Sequence, residues 1–581
     1  MKGVSASRAS SGAPVLLMFL AVVYPALAVA STWPLFTDLD GLLPLGTLSH
    51  TSVTLHMIWS LWWTSDRLAE GLDGYWDAPI LFPFKRIYAS SEPSPLLGFV
   101  ASPLFYLGLS PVRVANLLLL AMLTLNGWMM FLLLRRLGIE RWAAALGGAC
   151  VVVLPYSHRE IGVLHLVPLG GILGSLWAGI GWSQHPTLPR ALGLGLAVAA
   201  TYLTSGQYAL FLLMSATPAF VCLIGRPQLR PRALLGLAAG ALLCAGLVAP
   251  VVSAQLEAKR LYALERPVRI AQEGAAQPRD WWAAPWPAVI PVPGGQEPRR
   301  IDRLGLYPGS AKLVLALIGL VCGLKNRSRR RTTAFVTSLL AGSLLVSMLP
   351  FVGGGELFAR LRSLLPGLGQ VRSFYRAGVF AQLAVVMLAA LSLDALLRQA
   401  REAADARPRH ARSVRALAVL LGLAACVDLW PRQQHFAPAP SLAAWAPWTR
   451  WIGANVRPDE AILYLPMATA GRMSNFEADA TWMFLQTAHG RPMVNGFWGV
   501  MPRGSYRISL ETAHFPQPRA HRALKGLGVR WVVARPSWLR TLQPRELDPA
   551  LWRPAYQNEA LDVAVYEAVG PTPPSPAGLF P

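Results

Sequence analysis

Residues 112–136 read VRVANLLLLAMLTLNGWMMFLLLRR, an apolar stretch with one early arginine that ends on the pair Arg135-Arg136. As a helix rising ~1.5 Å per residue it covers the ~30 Å hydrocarbon core of a bilayer. The pattern recurs along the chain. Val15–Trp33, Val112–Leu134, Trp142–Leu154, Ile161–Trp182, Ala191–Leu203, Tyr208–Ile224, Ala233–Ala254, Leu313–Leu324, Thr332–Leu349, Ala377–Leu397 and Val414–Trp430 are almost free of charge, and short arginine-rich connectors separate many of them. Backbone groups inside lipid must be satisfied within their own segment, so these runs predict a polytopic α-helical membrane protein of about 11 spans.

Composition agrees. Of 581 residues 54% are hydrophobic and 14% charged, with mean hydropathy +0.40; an ordinary soluble chain is about one quarter charged. The 53 Lys and Arg outnumber 30 Asp and Glu, for a net charge of +23. Much of this charge sits in connectors, which points to topology and lipid phosphates rather than nucleic acid. Cys150, Cys222, Cys244, Cys322 and Cys426 all fall inside predicted spans without a CxxC spacing, and read as small packing residues. The chain has no Walker A, HExxH, GxSxG or strand-borne GxGxxG pattern, which disfavours an ATP-driven pump, a soluble-type dehydrogenase and a common hydrolase.

The connectors set an expected topology. With Lys2 and Arg8 inside, counting spans places Arg135, Arg136, Arg141, Arg190, Arg226, Arg230, Arg232, Lys325, Arg327, Arg329–Arg331 and the arginines from Arg398 to Arg415 on the same side. The expected location is a bacterial inner membrane with a cytoplasmic N-terminus. Ala28-Val29-Ala30 has the small residues of a signal cleavage site, but the length of the run favours an uncleaved first span. The count requires Leu96–Leu109, at roughly 14 residues, to be re-entrant or interfacial. Outer loops are then expected at 34–95 and 255–310, within a membrane domain of 1–430. Residues 431–570 read as an extracytoplasmic α/β domain, with strands at Ala461–Leu465, Val529–Ala534 and Val563–Ala568 and helices at Leu442–Ala454 and Arg519–Leu527. Residues 571–581 read as a disordered tail.

The first outer loop carries the most chemistry. VTLHMIWSLWW, Val53–Trp63, gathers Leu55, Ile58, Trp59, Trp62 and Trp63 near one face of a helix suited to the headgroup level. Asp66, Glu70, Asp73 and Asp77 follow, then Ser90-Ser91-Glu92-Pro93. Acids beside a re-entrant helix are candidate bases or metal ligands; a solvated loop is the plain alternative. His158-Arg159-Glu160 at a span end reads as an interfacial ion pair or a functional group, and His165 as a packing histidine. Arg372 and Arg376, one turn apart, suit phosphate binding or snorkelling to headgroups. Lys85 and Arg86 suit a phosphate contact or a loop anchor.

Taken in order, these features resemble the GT-C class of membrane glycosyltransferases, which includes oligosaccharyltransferase catalytic subunits, protein mannosyltransferases and aminoarabinose transferases. The likeness rests on His56-x-x-Trp59-x-x-Trp62-Trp63, Glu92-Pro93-Ser94-Pro95-Leu96, Leu154-Pro155-Tyr156-Ser157-His158, Leu306-Tyr307-Pro308-Gly309, Leu365-Pro366 followed by Val371-Arg372 and Arg376, and His489-Gly490-Arg491-Pro492-Met493-Val494-Asn495-Gly496. It is similar to bacterial multi-span members with a C-terminal outer domain. The resemblance implies transfer of a sugar from a polyprenyl-phosphate carrier to a glycan, lipid or protein acceptor on the outer face of the inner membrane. An acid of the first outer loop would act as base or hold a divalent cation such as Mg or Mn. Basic residues, here Arg372, Arg376, Arg159, Lys85 and Arg86, would bind the carrier phosphate, for which arginine offers a fixed fork of donors.

Those families carry an Asp shortly before the Trp-rich helix. This chain has Leu48-Ser49-His50-Thr51-Ser52-Val53 there, with no carboxylate. Glu92 ranks first as its replacement, then Asp40, then Asp38, with Asp40 or Glu92 as the ligand of any metal. Two rivals follow from the same residues. A non-catalytic envelope-biogenesis protein would fit the missing Asp. A transporter or flippase for a lipid-linked glycan would need polar breaks within several spans, and Thr201, Thr204 and Gln382 are among the few present.

Overall fold

Helix occupies every one of the eleven apolar runs, because no other open structure satisfies its own backbone without water. The computed structural model describes residues 13–262, 266–289, 305–365, 367–432, 434–468, 472–499, 501–541 and 547–570; the predicted tail at 571–581 lies outside them. The chain is mostly helical. Among the described residues six helices are long and apolar enough to cross a membrane: Pro111–Arg136, Leu164–Gln184, Gly206–Leu223, Pro231–Tyr262, Phe374–Glu402 and Pro408–Val427. A seventh crossing is available if Arg330–Ser347 and Leu349–Leu364, bent by 75° at Met348, count as one. Other runs make shorter helices: 12 residues at Arg141–Val152, 17 at Leu188–Thr204 and 16 at Ser310–Lys325. The 12-residue helix Pro95–Tyr106 stands where a re-entrant or interfacial helix is expected.

The chain divides into two compact units that interleave along the sequence. One comprises Met1–Leu39, Asn116–Pro250 and Glu265–Phe436; the other comprises Asp40–Ala115, Val251–Leu264 and Ala437–Pro581.

The first unit is built on the helix Gly378–Glu402, which is buried on all sides from Gly378 to Asp394. The helices Arg141–Val152, Ser310–Lys325, Arg330–Ser347 and Pro408–Val427 pack round it. Asp394, near its end, is buried and receives Arg329 at 2.9 Å and Arg398 at 3.0 Å. The backbone N–H of Glu140 donates to the same carboxylate at 2.7 Å, and the side chain of Glu140 pairs with Arg401. Two buried acids thus draw three arginines, from two segments, to one end of this unit.

The second unit carries a four-stranded sheet: β1 (Ile462–Leu465), β2 (Trp531–Ala534), β3 (Trp552–Asn558) and β4 (Val563–Ala568), in the order β1-β2-β4-β3. β1 and β2 run parallel; β2–β4 and β4–β3 are antiparallel. The short Val- and aromatic-rich runs mark three of these strands. β3 has polar, exposed positions and an internal proline, as an edge strand does, so its sequence carries no apolar signal.

At the other edge, residues 492–495 run beside β1: Ile462 N–H donates to Pro492 O, and Val494 N–H to Ile462 O, both at 2.9 Å. Pro79–Phe82 pairs with the far side of that segment, through Met493 N–H to Pro79 O at 3.0 Å, Leu81 N–H to Asn495 O at 2.9 Å and Phe82 N–H to Met493 O at 3.0 Å. The first loop therefore extends the carboxy-terminal sheet.

This corrects the expectation for the Trp-rich helix. Ser52–Ala69 is buried over nearly its whole first half. Trp59 and Trp63 are buried; their indole N–H groups donate to Gln486 Oε1 at 2.8 Å and Tyr75 O at 3.0 Å. These tryptophans face protein, where each buried N–H finds an acceptor.

Candidate functional site

In the second unit the Trp-rich helix packs against the helix Glu477–His489. His56, Phe497 and Trp498 form an edge-to-face cluster, with ring centroids 5.6 Å apart for His56–Phe497 and 4.6 Å for His56–Trp498. Glu92 lies half-buried in the turn before the helix Pro95–Tyr106. That turn is held by Tyr88, whose hydroxyl donates to Pro93 O at 3.1 Å, and by Gln255, whose amide donates to Ser91 O at 3.2 Å.

Asp40 is exposed, pairs with Arg113 and accepts the Ser110 hydroxyl at 2.5 Å. Asp38, in the first unit, is exposed. Arg86 pairs with Glu257 at 3.0 Å, and its backbone N–H donates to Asp77 at 2.7 Å; Lys85 is exposed and its carbonyl accepts the Tyr262 hydroxyl. Both serve as loop anchors in this geometry.

The segment Leu48–Val53 does receive a carboxylate, from far along the chain. Glu477 Oε1 accepts the backbone N–H of Thr51 at 2.7 Å and its hydroxyl at 3.1 Å. Nothing local announces this contact, since the partners are 426 positions apart.

The cationic residues gather in the first unit. Arg159 ends the short helix Pro155–Arg159; Arg372 and Arg376 flank the start of the Phe374–Glu402 helix. Glu160 is buried, ion-paired with Arg159, and accepts the Tyr375 hydroxyl at 2.7 Å. The Arg159 guanidinium also donates to the Tyr375 hydroxyl at 3.0 Å and lies over the ring, 5.1 Å from its centroid. Burial alone would raise the Glu160 carboxyl, but Arg159 and Arg376 hold it below the usual range.

Arg376 is buried and donates to Gln207 Oε1 at 3.1 Å, while its Nε has no partner. Arg372 makes no ion pair among the described residues. Burial, then the neighbouring Arg376 and Arg266, push its guanidinium down to about 10.

Two glycines admit this packing. A Cβ on Gly274 would lie 1.7 Å from the Arg372 carbonyl oxygen, and Gly274 O accepts the Tyr375 N–H at 3.0 Å. Gly305, at φ +103°, passes so close to Arg159 that a Cβ would lie 2.8 Å from Cδ.

Tyr156 and Tyr208 line the neighbouring layer, joined at 3.3 Å. The structure therefore joins Arg159, with its sequence neighbour Glu160, to Arg372 and Arg376 in one cluster and adds Tyr375, Gln207 and Arg266, which the sequence did not link to them. His158 bonds Val152 O at 3.0 Å and Gln434 at 2.8 Å, so it ties segments together.

Among the described residues no three His, Cys, Asp or Glu gather where they could hold a metal ion.

No sequence-family model matches the chain, and no curated protein matches it. Solved structures do. The arabinofuranosyltransferase AftD from Mycobacteria matches over 96% of this chain and 40% of its own length, with a TM-score of 0.57 and 14% identity. ArnT from Cupriavidus metallidurans in the apo state matches over 97% of this chain and 100% of its own, with a TM-score of 0.51 and 13% identity. The chain thus spans about two-fifths of the mycobacterial enzyme's length. It has the fold of the GT-C membrane glycosyltransferases. At these identities the likeness speaks for architecture, and the chemistry must come from the chain's own residues.

Proposed function

We propose that the protein is a membrane glycosyltransferase that moves a sugar from a polyprenyl-phosphate carrier to an acceptor on the outer face of the bilayer. The observation that carries this reading is the pair Arg372 and Arg376. Arg376 is buried and keeps an unpaired Nε, and Arg372 is half-buried with no ion pair among the described residues. Glu160, already paired with Arg159, is shared among these cations, and a carrier phosphate would supply further negative charge and acceptor oxygens.

Glu92 is the proposed base. It sits half-buried in a braced turn, whereas Asp40 and Asp38 are exposed. As base this carboxylate would take the acceptor's proton. In the first unit the role of the arginines would be to hold the negative charge of the carrier phosphate. Addition of EDTA to the assay, with Mg or Mn added back, tests whether a divalent cation takes part.

The proposed topology keeps about 11 crossings, an N-terminus inside, and the first loop and the α/β domain of 431–570 outside. The convergence of Arg329, Arg398 and Arg401 on Asp394 and Glu140 supports a common side for their connectors.

The test is a transfer assay on the purified protein in nanodiscs with a panel of polyprenyl-phosphate sugars, comparing wild type with R376Q. Transfer by wild type and its loss in R376Q are expected. Wild type inert toward every donor would remove the reading. Thiol labelling of cysteines introduced at Asp38 and Lys85 tests the sidedness, with labelling expected from outside the cell.

A further inference from the structure

The cationic cluster contains an acid that the transfer scheme leaves unused. Glu160 is 3% exposed and lies beside the group proposed to receive a phosphate. Its carboxylate pairs with the Arg159 guanidinium and accepts the Tyr375 hydroxyl, and that hydroxyl accepts a hydrogen bond from Arg159 in turn. The three side chains close a ring of contacts whose partners come from segments 215 positions apart. Arg376 approaches the same tyrosine ring at 5.9 Å. Gly305 packs close against the aliphatic stem of Arg159.

A carboxylate in such a place has two effects on an anion. It keeps the guanidiniums aligned and partly neutralised while the site is empty. It also competes with the anion for the same donors and repels it in a poorly screened setting. We propose that Glu160 is a positioning residue that acts as a built-in competitor of the carrier phosphate: it holds the Arg159 fork in the empty site, cedes part of it when the phosphate enters, and thereby limits affinity so that spent carrier is released. This rests on the phosphate reading of Arg372 and Arg376 and names how that same site avoids trapping its product.

The probe is undecaprenyl monophosphate, bound to the full-length protein in nanodiscs and followed by native mass spectrometry and by dissociation rate. Wild type, R376Q, E160Q and E160D are compared. E160Q keeps the shape and the acceptor oxygen but removes the charge; binding is expected at least tenfold tighter, through slower release. E160D keeps the charge but draws it back from Arg159; a two- to fivefold tightening is expected. A purely structural glutamate predicts the opposite order, with weaker binding in both and the larger loss in E160D. If wild type binds and R376Q loses binding, but E160Q is unchanged or weaker, the competitor role is overturned and the phosphate site stands. If wild type and R376Q bind alike, or neither binds, the phosphate site itself is overturned. Should E160Q not fold, E160D decides: equal or weaker binding overturns the role.

Discussion

The indole N–H of Trp59 donates to Oε1 of Gln486 at 2.8 Å, joining the first loop to the carboxy-terminal segment across 427 positions of sequence. The amide nitrogen of Gln486 donates to Pro79 O at 2.6 Å and to Arg491 O at 2.7 Å, so one buried side chain satisfies three groups from three segments. The motif His489–Gly496 is explained by the same junction. Gly490, at φ +67°, ends the helix, Arg491 reaches Val456 O and Gly453 O, and residues 492–495 extend the sheet.

Gln486→Leu should therefore destabilise the second unit by ~3 kcal/mol, because it strands a buried indole N–H and two carbonyls. Hydrogen exchange should speed up at 79–82 and 492–495 together. Loss of protection at only one of the two would mean the segments are held separately.

Asp479 gives that unit a pH dependence. It is buried, receives Asn495 Nδ2 at 2.7 Å and Ala468 N–H at 3.1 Å, and burial nonetheless pushes its carboxyl up to about 7. The folded form binds the proton more tightly than the unfolded chain, whose carboxyl titrates near 3.9. Stability from this group is complete below about pH 4 and is lost as pH rises through about 7, by a few kcal/mol in all. Melting temperature measured from pH 4 to pH 8 should fall in wild type, and D479N should flatten the decline. Parallel curves would show that another group sets it.

Gly274 tests the cationic cluster through the backbone. G274A forces a Cβ against the Arg372 carbonyl oxygen, and backbone atoms have no rotamer into which to retreat. Overpacking of this kind costs ~1–3 kcal/mol. Binding of polyprenyl phosphate should weaken at least tenfold as Arg372 shifts. A G274A protein that melts like wild type and binds the carrier like wild type would contradict the packing described.

Glu92 and Asp40 should separate cleanly in a transfer assay. E92Q should lower turnover by roughly 10²- to 10⁴-fold, the usual contribution of a positioned base, with little change in melting temperature. D40N weakens an exposed pair with Arg113, worth about 0.2–1 kcal/mol, and alters the contact with the Ser110 hydroxyl, and turnover should stay within threefold of wild type. The reverse result would move the base to Asp40.

Much of the architecture is legible in local sequence, because lipid imposes a local rule. A segment without water must bond its own backbone, so the charge-free runs are helices wherever they occur, and Arg135-Arg136 or Arg398 and Arg401 mark their ends. The strands at 462–465, 531–534 and 563–568 are legible for the same kind of reason, since buried strands need consecutive apolar residues. The edge strand Trp552–Asn558 has no such need and leaves no trace.

The candidate site obeys no local rule. Arg372 and Arg376 are recognisable as a pair from their spacing of four, although Arg372 lies in the non-helical segment before the helix rather than one turn along it. That Arg159 joins them, that Tyr375 bridges Arg159 to Glu160, and that Glu477 caps Thr51 all depend on how distant helices pack. By itself the sequence determined a membrane-embedded chain of apolar helices and a late sheet, because hydrophobicity and backbone bonding act over neighbouring residues. Only the tertiary structure decided which charges meet and which tryptophans face protein, because those contacts join side chains hundreds of positions apart.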